Sequence, residues 1–144
     1  MLGYESEKRL KNLLVAISDG ELVLERTRQR LCEIRDFAPG SAFQRLDRDG
    51  NEYITSFEIL NFLRDNRVYT ATEQECHRLV KFFDSDEDGR LSFNDFIQIV
   101  LPCEDNFLRN VTLDRPTFRV GRFDYLPRDI ETYLTEIFEK ELDL

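Results

Sequence analysis

Tryptophan is absent from this sequence, and histidine and methionine occur once each, as His77 and Met1. With a single imidazole and no close cysteine pair, no zinc set is complete. The three cysteines, Cys32, Cys76 and Cys103, are odd in number and form no C-x-x-C. They are expected to be reduced, buried apolar residues. There is no glycine-rich phosphate loop and no nucleophile elbow, so nothing points to an enzyme. No apolar run approaches the roughly 20 residues of a membrane span, and no signal-peptide pattern is present, so a cytoplasmic chain is expected. Under that expectation Asn110-Val-Thr112 is a glycosylation acceptor the cell does not use. An excess of basic residues is also missing: 20 Lys and Arg stand against 29 Asp and Glu, for a net charge of −9. That balance argues against nucleic acid as the main partner.

The acidity is concentrated rather than spread. Two twelve-residue stretches, Asp47–Glu58 and Asp84–Asp95, carry net charges of −3 and −4, so −7 of the −9 lies there. Both place Asp or Asn at positions 1, 3 and 5, a branched aliphatic at 8, a hydroxyl at 9 and a carboxylate at 12. A hard cation takes six to eight oxygens, and one short loop with this spacing turns around such an ion. Apolar residues flank the stretches at matching offsets. Ile59, Phe62 and Leu63 follow the first, and Phe96, Ile99 and Val100 follow the second. Ile54 and Leu91, both at position 8, are expected to pair as a two-stranded bridge.

These residues resemble the EF-hand, present as a pair over residues 37–101. The resemblance implies Ca²⁺ as ligand. In the first loop it implies side-chain oxygens from Asp47, Asp49 and Asn51, the Tyr53 carbonyl, a water-mediated contact at Thr55 and both oxygens of Glu58. In the second it implies Asp84, Asp86 and Asp88, the Arg90 carbonyl, Ser92 through water, and Asp95. Each loop departs from the pattern once. Glu52 occupies position 6, where a left-handed turn favours glycine; the strain of about 1–2 kcal/mol implies roughly five- to thirtyfold weaker binding. Gly50, two residues earlier, offers a different path for closing the loop. Asp95, at position 12, is a methylene shorter than Glu. That favours six-coordinate Mg²⁺ or mixed Ca²⁺/Mg²⁺ occupancy.

The fold class expected is all-α: an EF-hand pair with an inter-loop β bridge and extra terminal helices. Residues 1–36 form an N-terminal helical segment, with Leu10, Ile17, Leu24 and Leu31 recurring every seven residues. It extends over residues 5–35 and is either broken or weakened at a capping box, Ser18–Glu21. Pro39 suits a first helical turn, and Thr72–Glu75 is a capping box. Residues 102–127 are expected to form an extended strap after Pro102, rich in arginine, packing Phe107, Leu108, Phe118, Phe123 and Tyr125 onto the domain or meeting an acidic partner. Residues 128–144 form a last helix after Pro127, running to Leu144, with Ile130, Leu134, Ile137 and Phe138 on one side. Shifted by 120 residues, Leu134, Ile137, Glu141, Leu142 and Leu144 match Leu14, Ile17, Glu21, Leu22 and Leu24. The expectation is the start of a further repeat in a longer tandem protein.

Two roles follow from the resemblance. One is a Ca²⁺-responsive regulatory module that opens a groove lined by Phe43, Ile59, Phe62, Leu63, Val80, Phe83, Phe96, Ile99 and Val100. With 12 Phe and one Met the lining is stiff, which fits one dedicated protein partner better than calmodulin-like promiscuity. The other is a structural module of a cytoskeletal or ciliary assembly, with the same residues kept as a closed core under the flanking helices.

Overall fold

The computed structural model describes residues 18–143, and seven helices lie among them. They are α1 (Ser18–Glu33), α2 (Pro39–Leu46), α3 (Ser56–Asp65), α4 (Glu73–Phe83), α5 (Phe93–Val100), α6 (Asn106–Leu113) and α7 (Arg128–Glu141). Helices α2 and α3 flank the first acidic loop, and α4 and α5 the second. Local chemistry sets the boundaries. Pro39 occupies the first turn of α2, and capping boxes open α3 (Thr55/Glu58), α4 (Thr72/Glu75) and α5 (Ser92/Asp95). Helix α5 stops at Val100, ahead of Pro102. The two loops meet through the Ile54–Leu91 antiparallel bridge, with N–H···O distances of 2.9 and 2.8 Å. The class is therefore all-α.

One core runs through the molecule. The residues expected to line an openable groove are buried, with Phe83 partly so. Phe43 meets Phe96 edge-on at 5.6 Å, and Phe62 meets Phe138 of α7 at 6.0 Å. Ile130, Leu134, Ile137 and Phe138 on α7 join the same core, as do Leu24, Leu31 and Cys32 on α1. Helix α7 packs against α1, α3 and α5. The inner surface of the helix pairs is covered by the chain's own flanking helices.

Polar groups fix that cover in place. The Arg45 side chain, on α2, is 1% exposed. It donates to both carboxylate oxygens of Glu131 on α7, at 2.5 and 3.1 Å, and to Asp65 on α3 at 3.2 Å. Its guanidinium lies between the rings of Phe62 (4.9 Å) and Tyr125 (4.4 Å). Glu131 also accepts from Asn66 Nδ2 and the Leu126 amide, both at 2.9 Å. On the opposite side Arg28 of α1 donates to the Ile99 carbonyl (2.8 Å) and to Glu141 (2.7 Å).

Several expectations change. Residues 104–127 are not irregular throughout, because α6 forms at 106–113. Its signals were a cap and a short apolar stripe: Asp105 accepts from the Leu108 amide at 2.9 Å, and Phe107, Leu108 and Val111 share one face. Glu25 accepts from the amides of Cys103 and Glu104 and secures the turn before it. Phe107, Phe118 and Phe123 are exposed rather than packed, Tyr125 is half exposed with its ring over the Arg45 guanidinium, and Leu108 alone of the five is partly buried against the core. The strap is held by its polar groups instead. Arg115 donates to the carbonyls of Cys32, Ile34 and Phe37 at 2.7–2.9 Å, closing the end of α1. Cys103 is exposed, whereas Cys32 and Cys76 are buried. Helix α7 ends at Glu141, where Leu142 caps it and Asp143 takes a left-handed φ of 62°. The earlier part of the expected N-terminal helix, including Leu10, Leu14 and Ile17, the Ser18 side chain that would cap it, and Leu144 of the repeat comparison lie outside what is described.

Arg45→Ala leaves Glu131 buried without its cation. A loss of about 3–5 kcal/mol in unfolding free energy is expected. Replacing both partners, as Arg45→Met with Glu131→Leu, should cost far less. Urea unfolding of the two variants beside the parent chain measures both.

Candidate metal centre

The first loop folds onto its own side chains. Asp47, at the end of α2, accepts from the Glu52 amide through Oδ2 at 2.8 Å. Asp49 accepts from the Asn51 amide (3.2 Å), and Asn51 Oδ1 from the Tyr53 amide (3.1 Å). Glu58 reaches back from the first turn of α3. Its Oε1 accepts from the Thr55 amide (3.1 Å) and its Oε2 from the Asp49 amide (3.4 Å). Thr55 and Glu58, positions 9 and 12, are thus also the capping box of α3. Oxygens of Asp47, Asp49 and Glu58 all lie within 4.8 Å of one another.

Three carboxylates this close repel. Burial pushes the Glu58 carboxyl up to about 7; the Thr55 and Asp49 amides act against the shift, and the charges of Asp49 and Asp47 add to it. Asp47 is raised as well, again chiefly by burial. At Asp84 desolvation also acts upward, yet the hydrogen bonds from Gly89, Asp88 and Glu87 together outweigh it and hold the carboxyl below its ordinary value.

Among the described residues, two buried side-chain polar atoms have no hydrogen-bond partner: Asp47 Oδ1 and Asp84 Oδ1. They are the same atom of position 1 in the two loops. A carboxylate oxygen shielded from solvent with no donor is unfavourable, and a cation satisfies it. Both loops therefore fit a hard cation held by oxygens, and the first gathers its acids for one.

The second loop follows the same path with weaker convergence. Asp84 Oδ2 accepts from the Gly89 amide at 2.6 Å, as Asp47 does from Glu52. Asp86 and Asp88 stay exposed, and Arg90 contacts Asp88 at 3.4 Å. Asp95 turns one oxygen to the Ser92 amide (3.1 Å). The other accepts from the Ser85 hydroxyl at 2.6 Å and the Ser85 amide at 3.3 Å. Ser92 accepts in turn from the Asp95 amide at 3.2 Å. A cation at this loop competes with Ser85 for Asp95.

Glu52 has the left-handed φ expected of position 6, at 71°, but Gly50 does not open another path. It is left-handed too, at 69°, and the second loop repeats both conformations at Glu87 (55°) and Gly89 (83°). Each loop thus holds one glycine and one glutamate in the left-handed region, in opposite order. The extra strain assigned to the first loop alone is shared by both.

Three side-chain contacts were not anticipated in the sequence. Ser85 is a hydroxyl one residue after a position-1 aspartate, and its reach to Asp95 depends on the folded loop. Arg48 points away from its own loop to the carbonyls of Gly121, Arg122 and Asp124. Arg90 lies 3.8 Å over the Tyr53 ring, joining the two position-7 residues beside the Ile54–Leu91 bridge. Only the shared position number hinted at that pair.

Comparison with known proteins agrees with this geometry. The family model of the EF-hand domain pair matches residues 40–101. Secretagogin of Sus scrofa is 29% identical over 119 residues, covering 78% of this chain and 42% of its own length. Calcium-binding protein 8 of Homo sapiens is 34% identical over 111 residues, covering 73% of this chain and 40% of its own. The chain spans about two fifths of the length of these relatives. No solved structure matches.

Ser85→Ala removes the hydroxyl that competes for Asp95. At about 1 kcal/mol for one hydrogen bond, roughly fivefold tighter cation binding at the second loop is expected. Calorimetric titration in a Glu58→Gln background, which silences the first loop, isolates the effect.

Proposed function

Because the chain belongs to the EF-hand superfamily, we propose that it is a Ca²⁺-binding interaction module whose first loop is the principal calcium site and whose second takes Ca²⁺ or Mg²⁺ weakly. The observation that carries this reading is the convergence of Asp47, Asp49 and Glu58 around the unpartnered Asp47 Oδ1. Asn51, the Tyr53 carbonyl and Thr55 complete the first set; Asp84, Asp86, Asp88, the Arg90 carbonyl, Ser92 and Asp95 form the second. A bound cation supplies the positive charge that the acids lack. It also draws Glu58, and with it the start of α3, toward the loop. No catalytic role is proposed.

Magnitudes decide how far such a module opens. A cation at a hundredfold its Kd contributes about 2.7 kcal/mol per site. Undocking α7 exposes Ile130, Leu134, Ile137 and Phe138 at roughly 2 kcal/mol each, before Arg45 and Glu131 are separated. Calcium alone therefore tightens or reshapes a closed module. Opening requires a partner segment that replaces α7 on the same apolar surface. This places the dedicated partner in competition with an internal helix. The closed core is the state that the structural role called for, but the names of the relatives speak of calcium binding in one case and of no cytoskeletal or ciliary assembly.

Calcium titration with amide NMR and an apolar dye tests the reading. The expected result is micromolar binding, lost at the first loop in Glu58→Gln, with shifts centred on residues 47–58 and no rise in dye fluorescence. Absence of binding, or strong dye uptake on Ca²⁺ alone, contradicts it.

A further inference from the structure

The strap after α6 runs against the acidic character of the chain. From Arg115 to Arg128 it holds four arginines and one aspartate, in a protein of net charge −9. Arg115 is spent on the end of α1, but Arg119 and Arg122 are exposed and form no ion pair among the described residues. Beside them Phe118 and Phe123 are 43% and 83% exposed.

This segment is built, not loose. Ser41 Oγ bonds both the amide and the carbonyl of Phe118 (2.8 and 2.7 Å), and Gln44 accepts from the Val120 amide at 2.9 Å. Thr117 crosses so close over Gly40 that a Cβ there would lie 2.1 Å from its Oγ1. A turn follows, with the Asp124 amide donating to the Gly121 carbonyl at 3.0 Å and Asp124 Oδ2 accepting from the Gly121 amide at 2.9 Å. Arg48 holds the carbonyls of this turn from the side of the first loop, leaving Phe123 outward with the Arg122 guanidinium 5.9 Å from its ring. The backbone of the tip is therefore ordered before docking, and only its exposed side chains lose freedom there.

We propose that this turn is a Ca²⁺-dependent docking tip for an anionic membrane surface. Arginines beside projecting phenylalanines suit a headgroup layer, where the charge meets phosphate and carboxylate and the rings enter the acyl boundary. Phe123, 83% exposed beside Arg122, is a ring that an acyl boundary buries and that charge pairing with an acidic peptide does not require. The calcium dependence comes from position. A cleft of about 670 Å³ is lined by Arg119 and Arg122 on one side and by Asp47, Asp49 and Glu52 on the other. Without a cation those carboxylates, lining the same cleft as the arginines, offset their charge. One divalent ion removes two of the negative charges and leaves the arginines to act. This inference rests on the first loop binding calcium.

The full chain is sedimented with phosphatidylcholine vesicles, with and without about 30% phosphatidylserine, in Ca²⁺ or chelator. Retention is expected on the anionic vesicles in Ca²⁺ only. The Arg119→Glu/Arg122→Glu pair should lower it about tenfold or more, and Phe123→Ser several-fold. Glu58→Gln, which leaves the strap unaltered, should abolish the response to Ca²⁺. Undiminished binding by the arginine variant overturns the proposal, as does equal binding to pure phosphatidylcholine. Calorimetry without vesicles separates the two readings: Ca²⁺ uptake with no retention overturns the docking tip alone, and no uptake overturns both. Arginine-dependent retention on polyglutamate with none on vesicles would assign the tip to an acidic polypeptide instead.

Discussion

The closed state depends on one buried ion pair. Arg45 and Glu131 join the entering helix of the first hand to α7 across the centre of the molecule, and Asp65, Asn66 and the Leu126 amide complete the set. Against an apolar pair of the same volume such a contact adds little net stability, since both charges are desolvated. What it contributes is register. Glu131 has its donors only when α7 lies in one position along α2 and α3. In that position Ile130, Leu134, Ile137 and Phe138 fill the surface that a calcium sensor would offer to a target.

Around that closure the two loops act as one unit with unequal halves. The Ile54–Leu91 bridge and the Arg90–Tyr53 stack tie them together, so strain in one is felt in the other. Both pass through the left-handed region at positions 4 and 6, with the glycine exchanged between them. The difference lies at position 12. Glu58 is long enough to join Asp47 and Asp49, while Asp95 is held by Ser85 at the edge of its loop. Side-chain length and one hydroxyl, rather than turn geometry, separate a gathered site from a splayed one.

Much of this was legible in the residues. The spacing of acids at positions 1, 3, 5 and 12 marked both loops, and position 8 marked the bridge, because coordination and pleat fix those periods locally. Capping at Pro39 and Thr72 was equally local. What escaped depends on residues far apart in the chain. Arg45 read as one more charge on a short helix, and its partner lies 86 residues away. Helix α6 carries an apolar stripe of Phe107, Leu108 and Val111 and an Asp105 cap, but its eight residues between Pro102 and Pro116 read as part of an irregular stretch. Phe118 and Phe123, expected to pack onto the domain, are exposed because polar bonds to Ser41 and Gln44 hold the segment instead of these rings. The left-handed conformation of Glu87 had no sequence signal, since nothing in a glutamate asks for it.

Calcium site, bridge and α7 thus form a chain of contacts in which the cation acts on a module already closed by its own helix. Native-state hydrogen exchange of α7 amides tests this most directly. If α7 is an integral part of the core, its amides, in the presence and absence of Ca²⁺, should exchange with the same opening free energy as those of α3 and α5. Exchange orders of magnitude faster in α7 than in α3 and α5 would show a loosely attached helix and contradict the closure on which the account stands.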